Sequence, residues 1–196
     1  MKTIIDLPKD IQKLAKEFEA KKKQLLRNVG IVAAAHFQNN ITEGKDIDGN
    51  AMVKRNPEFT SRQGRGLLIK SGKLRRSIRV QSISNDTVII AAKEPYAQIH
   101  NEGGQIDITP KMRRFFWAKY YEARGKIKTN KAGTATNLNS RNVGLSRDAR
   151  TWRNLALKKT PIKIKKRQFM GINDALDKLI QKELQDTFKD LGNSIT

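Results

Sequence analysis

Residues 7–42 carry apolar side chains at Leu7, Ile11, Leu14, Phe18, Leu25, Val29, Val32 and His36/Phe37. The steps are threes, fours and one seven, the spacing of one helix face, so the pattern predicts a single long helix. Asp6 is placed to cap it, and Pro8 to sit in the first turn, where a missing N–H costs nothing. Lys21-Lys22-Lys23 interrupts the stripe. The second half, from Val29 to Phe37, is apolar on nearly every face and is expected to be buried. A helix of this length spans roughly 54 Å at 1.5 Å per residue, longer than so small a domain requires. Either Gly30 breaks it, or one end projects toward a neighbouring subunit.

The pattern changes after residue 42. Residues 43–70 hold five glycines and prolines (Gly44, Gly49, Pro57, Gly64, Gly66) without periodicity and read as a long loop with short local structure. Residues 71–77 look like a short helical turn leading into a strand. Residues 77–83 set Ile78 and Val80 on one face against Arg79 and Gln81 on the other. Asn85-Asp86 has turn chemistry, and residues 87–92 (TVIIAA) form a second strand, so a hairpin is predicted over about 77–92. Gln105–Ile108 is a candidate third strand. Thr109-Pro110 then caps a helix over 110–123, with Met112, Phe115, Phe116 and Tyr120 as its stripe. Residues 125–150, rich in Gly, Asn, Thr, Ser and basic side chains, show no core pattern and are expected to be a mobile loop or arm. Residues 161–165 (PIKIK) alternate and read as an edge strand, its lysines discouraging further pairing. A last helix is expected from about Asn173 to Leu191, on Leu176, Leu179, Ile180, Leu184, Phe188 and Leu191, with Gly192 ending it. The fold class is α+β: a long N-terminal helix, a small antiparallel sheet built on the hairpin plus further short strands, and a C-terminal amphipathic helix. A single domain over 1–196 is expected, with a basic insertion at about 125–150.

Charge sharpens this picture. The 196 residues hold 40 Lys and Arg against 19 Asp and Glu, a net +21. Residues 111–168 alone hold 18 basic and 2 acidic side chains. A solvated helix face normally mixes signs, and this segment does not. It is read either as a self-repelling soluble loop or as an arm that meets phosphates or an acidic protein surface. There are no cysteines, which excludes a disulfide framework, thiolate metal sites and a Cys nucleophile. No apolar run approaches the ~20 residues of a membrane span. The opening MKTIIDLPKD lacks the apolar core of a secretory signal.

The candidate chemistry is sparse. His36 reads as a core histidine. His100 with Glu102 spells a fragment of the zinc-deaminase signature, whose Cys pair is missing. Two histidines with scattered carboxylates are a poor ligand supply for zinc. Asp46 and Asp48 resemble part of a calcium loop, but Pro57 stands where its Glu belongs. No nucleophile elbow, phosphate-cradling glycine loop or zinc-protease helix occurs. No catalytic residue, metal or cofactor is therefore assigned, and the protein is not expected to be an enzyme. Among the aromatics of residues 115–121, helical spacing gives Phe115, Phe116 and Tyr120 to a core and leaves Trp117 and Tyr121 as candidate partner contacts. Candidate DNA or partner contacts in the basic segment are Arg113, Arg114, Lys126, Lys128, Lys131, Arg141, Arg147 and Arg150.

Three stretches together carry a resemblance. They are SGKLRRSI (71–78), YAQIHNEGG (96–104) and RQFMG (167–171), in that order before a final amphipathic helix. They resemble the tailed-phage virion morphogenesis family, also called the tail completion family, of the Mu-like prophage type. Its members share a leading helix, a G-x-L-x-x-S-I turn, a YA-x-I-H-x-x-G-G segment and an R-x-F-x-G run. The matching positions are Gly72, Leu74, Tyr96, Ala97, Ile99, His100, Gly103, Gly104, Arg167, Phe169 and Gly171. The chain departs from the shortest members in its 110–160 segment and in Asn101-Glu102. The resemblance implies a structural protein of the virion, acting at tail completion or head–tail joining in the neck, as a ring subunit around the DNA channel. Its implied partners are connector, tail terminator or tube proteins and further copies of itself, with non-specific DNA contact and no membrane. The implied location is the virion, and the host cytoplasm during assembly. In structural terms, Gly103-Gly104 is expected to allow a tight turn, Tyr96 and Ile99 to pack together on one helical turn, and His100 to cap or hydrogen-bond a loop rather than catalyse. The competing reading is a basic nucleic-acid-binding module of a ribosome-associated or chromatin-like kind.

Overall fold

Helix α1 runs unbroken from Lys9 to Glu43 in the computed structural model, which describes residues 8–55, 66–127 and 140–195. Gly30 does not break it. Pro8 stands at the N-cap without a side-chain cap, and Asp6 and Leu7 lie outside the described residues. Gly44 ends the helix in the left-handed conformation (φ 69°) that favours glycine, and its N–H returns to the carbonyls of Asn40 and Ile41. The chain folds as two units: residues 1–51, 68–97 and 168–196 make the first, and residues 52–67 and 98–167 the second.

In the first unit, α2 (Lys73–Ser77) leads directly into an antiparallel hairpin of β1 (Ile78–Ile83) and β2 (Val88–Ala92). The register slips between Val80 and Ser82, an irregularity the alternation does not reveal. Helix α1 lies across the hairpin at Gly30, where an added Cβ would stand 2.7 Å from Val80 Cγ2 and 3.0 Å from Val88 Cγ1. The last helix, α6 (Asp174–Ile195), packs on α1. Asn173 caps it by accepting from Leu176 N–H (2.9 Å), and its amide donates to the Ile47 carbonyl. Phe169, Ile41, Leu74 and Ile78 are the most deeply buried side chains. Burial of each such group is worth about 1.5–3 kcal/mol.

Several expectations for these helices fail. Ile11, Leu14 and Phe18 are exposed, because no described element of the unit covers the first turns of α1. Within the stretch expected to be wholly buried, Ile31 is 63% exposed while Ala33, Ala34 and Phe37 are buried. Helix α6 continues past Gly192, which meets nothing within 4 Å and so neither needs nor forces a stop. Phe188 is 61% exposed rather than part of the apolar face. It lies about 120° round the helix from buried Leu176 at 3.6 residues per turn.

The second unit holds α3 (Ala97–Glu102), β3 (Gly104–Ile106), α4 (Pro110–Gly125), α5 (Ser140–Leu157) and β4 (Ile162–Ile164). Thr109 caps α4, accepting from Met112 N–H at 3.2 Å, with Pro110 in the first turn. β3 and β4 pair antiparallel, Gly104 opposite Ile164 and Ile106 opposite Ile162. The segment expected to be a loop or arm is helical over its last part, since α5 begins at Ser140. Helices α4 and α5 pack around Phe116, Leu155 and Ala156, with Ile108, Met112, Trp117, Trp152 and Ile162 at the margin. Phe115 leaves the expected stripe and is 51% exposed, its ring edge-on to Trp152. The architecture is mixed α+β: a long N-terminal helix, two small antiparallel sheets and a C-terminal helix.

Candidate functional site

The motif residues divide between the two units. In the first, Gly72 adopts φ 71° and caps α2, while Leu74 and Ala97 are buried. Tyr96 stands in the turn just before α3 and is 39% exposed. Burial and neighbouring Glu94 raise the pKa of its phenol. Phe169 is fully buried, and its carbonyl accepts from Asn40 Nδ2 at 3.2 Å. The Gln168 carbonyl accepts from Ile47 N–H at 2.9 Å. At Gly171 a Cβ would meet Gln168 Nε2 at 2.8 Å and Ile47 Cδ1 at 3.2 Å.

In the second unit, three motif residues meet. Arg167 N–H donates to the His100 carbonyl at 2.9 Å, joining the end of β4 to α3. The Arg167 side chain is buried, and its Nε donates to the Val53 carbonyl at 2.8 Å. Gly103 turns the chain from α3 into β3 with φ 79°. A Cβ there would come within 2.9 Å of Lys166 N, a backbone atom that cannot easily move aside. Burial, and then the charge of Arg167, lower the pKa of His100. His36 is lowered by burial against a smaller opposing pull from Glu43. The Asp46 carboxylate, read as a calcium-loop fragment, accepts from Asp48 N–H and Asn50 N–H and so holds a turn. Among the described residues, no group of three His, Asp or Glu is placed to hold a metal, and no helix is long and apolar enough to cross a membrane.

The basic candidates separate into distinct environments. Arg113 is committed in part to the fold. It is half-buried and its Nη1 donates to the Ala156 carbonyl at 2.7 Å, tying α4 to the end of α5. Arg114 is exposed on α4. Lys126 reaches Glu122 at 2.7 Å, as Lys119 does at 2.6 Å. These two ammonium groups hold the Glu122 carboxyl down to about 2. Arg147 and Arg150 are exposed one turn apart on α5 and line a shallow concavity with Val143 and Ser146. Lys128 and Lys131 lie outside the described residues, and Arg141 is described only as a backbone position of α5.

Aromatic side chains accompany this charge. Tyr121 is 62% exposed on the outward side of α4. Its ring stacks on half-buried Trp117, centroids 6.0 Å apart and planes 28° apart, and meets Tyr120 edge-on at 5.1 Å. Trp117 in turn packs against the Phe116–Leu155–Ala156 core. The sequence separates Trp117 and Tyr121 from the core stripe by their helical phase. It does not reveal that Trp117 joins that core to the exposed ring.

The sequence model of the phage virion morphogenesis family matches residues 6–189, nearly the whole chain. No curated protein and no solved structure matches it. The chain belongs to the phage virion morphogenesis family.

Proposed function

We propose that this member of the family is a structural protein of the tailed-phage virion that acts at tail completion, in the neck where head and tail join. The observation that carries the reading is the family match over residues 6–189. The reading adds a site of action, a ring of identical subunits around the DNA channel, and a role that is mechanical rather than catalytic. Head-to-tail contacts between copies close into rings. The exposed apolar residues at the start of α1 and the exposed Phe188 of α6 are surface that such contacts can cover. The basic second unit supplies charge toward a polyanion or an acidic neighbour. The protein is made in the host cytoplasm and carried into the finished particle.

Deleting the gene from the phage tests this. Electron micrographs of the lysate are expected to show filled heads and separate tails, with infectivity restored by supplying the protein in trans. Normal yields of joined, infectious particles without it reject the neck assignment.

A further inference from the structure

We propose that the outward face of α4, centred on Tyr121, is the surface by which this protein docks an acidic protein of the virion. The inference rests on the assembly reading above and names the face and the chemistry of its partner.

Arg114, Ala118 and Tyr121 stand at i, i+4 and i+7 on α4, and all three are exposed. That spacing places them on one helix face, the arrangement by which a helix seats in a groove of a partner. The opposite face, with Phe116 and Ala123, is buried. Tyr121 has the properties of an interface anchor. It is a large amphipathic ring with few rotamers, and Trp117 behind it roots it in the core. A ring already held in place loses little freedom on binding. Tyr, Trp and Arg are also the residue types that dominate binding energy at protein interfaces.

Charge fixes the sign of the partner. Glu122, the one acidic residue of α4, is neutralised by Lys119 and Lys126. Arg114 and Lys111 remain exposed on the same helix. Residues 111–168 hold 18 basic side chains against 2 acidic ones. The complementary surface is therefore acidic. Phe115 and Leu157, both about half exposed, add apolar area to the same helix pair. Protein–nucleic acid interfaces are more polar than that, which favours a protein over DNA.

The test uses particles from a host carrying the phage with this gene deleted, and the purified full-length protein. Cosedimentation is compared for wild type, Tyr121→Ala, Tyr121→Phe, Ala118→Glu and Arg114→Glu, each first checked for wild-type helix content. Binding of a 30-base-pair duplex and the sedimentation coefficient of the protein alone are measured in parallel. The proposal expects retention on particles to fall at least tenfold for Tyr121→Ala, Ala118→Glu and Arg114→Glu. Tyr121→Phe is expected to hold near wild type, and duplex binding and sedimentation to stay unchanged. Since Ala118 is exposed and Glu is a good helix former, that variant keeps the test valid if Tyr121→Ala unfolds. Wild-type retention of all variants overturns the proposal. So does a parallel loss of duplex binding, which makes the face a nucleic-acid surface, or an altered sedimentation coefficient, which makes it a contact between copies. Failure of the wild type itself to bind the particles overturns the assembly reading, and this inference with it.

Discussion

At the scale of single residues, the two histidines set how the fold responds to mild acid. They are the only histidines in the chain. Burial lowers the pKa of both, so the folded state resists their protonation more than the unfolded chain does. The unfolded chain then binds more protons just below the ordinary histidine value of about 6.5, and stability falls as pH drops through that region. Paired carboxylates such as Glu43 and Glu122 have lowered values and enter only in stronger acid. Urea midpoints are therefore expected to decrease from pH 7.5 to 5.5, and the decrease to shrink in the His36→Gln/His100→Gln protein. A slope unchanged by the double substitution would assign the effect to other groups. The sequence makes legible that the chain has only two histidines and no cysteine. It does not show that the peptide groups around His100 and Arg167 are bonded to each other across more than sixty positions. Such a link depends on tertiary closure, and so does the buried Arg167 donating to the Val53 carbonyl.

At the scale of elements, the period-based predictions succeed where one face carries large apolar side chains and the ends carry caps. The hairpin, α4 with its Thr109-Pro110 start, and the body of α6 are of this kind. Helix α5 was not legible for a physical reason. Its buried positions are Asn142, Ala149, Thr151, Leu155 and Ala156, of which only Leu155 is large and apolar, so small and polar residues stand at most of the places where a periodicity reading seeks large apolar ones. Thr151 satisfies its hydroxyl on the Arg147 carbonyl, one turn back. Gly30 was legible as a special position but not for its role. It marks a close approach of helix and hairpin, not a break. Gly30→Ala gains about 1 kcal/mol of helix propensity. It also drives a methyl group into Val80 and Val88, whose branched side chains have little freedom to turn away. Overpacking of that kind costs about 1–3 kcal/mol, so the net expectation is a loss of roughly 1 kcal/mol. Adding Val80→Ala to Gly30→Ala is expected to relieve the clash, so that the double variant loses less than the sum of the two single losses in a urea-melt cycle. Strict additivity shows that the helix and hairpin separate without cost.

At the scale of the whole molecule, the uneven charge decides what the protein meets during assembly. Arg147 and Arg150 are exposed and line the same concavity on α5, so they probe basic charge carried outside α4. If the unit held duplex DNA through about 6–10 phosphates, affinity would fall roughly 10³–10⁵-fold between 50 and 200 mM salt. Reversing two contacting arginines would then lower the log–log salt slope by about 2. A subunit that gripped DNA this way around a channel would hinder its passage. Weak duplex binding at 150 mM salt is therefore expected for wild type and for Arg147→Glu/Arg150→Glu alike, together with a fall in completed particles for the variant. The two readouts separate the possibilities because each responds to a different partner. Lost duplex binding with undiminished particle yield rejects docking to an acidic neighbour in favour of DNA contact. No change in either leaves the charge of this part of α5 with no role beyond keeping the chain in solution, where like charges repel.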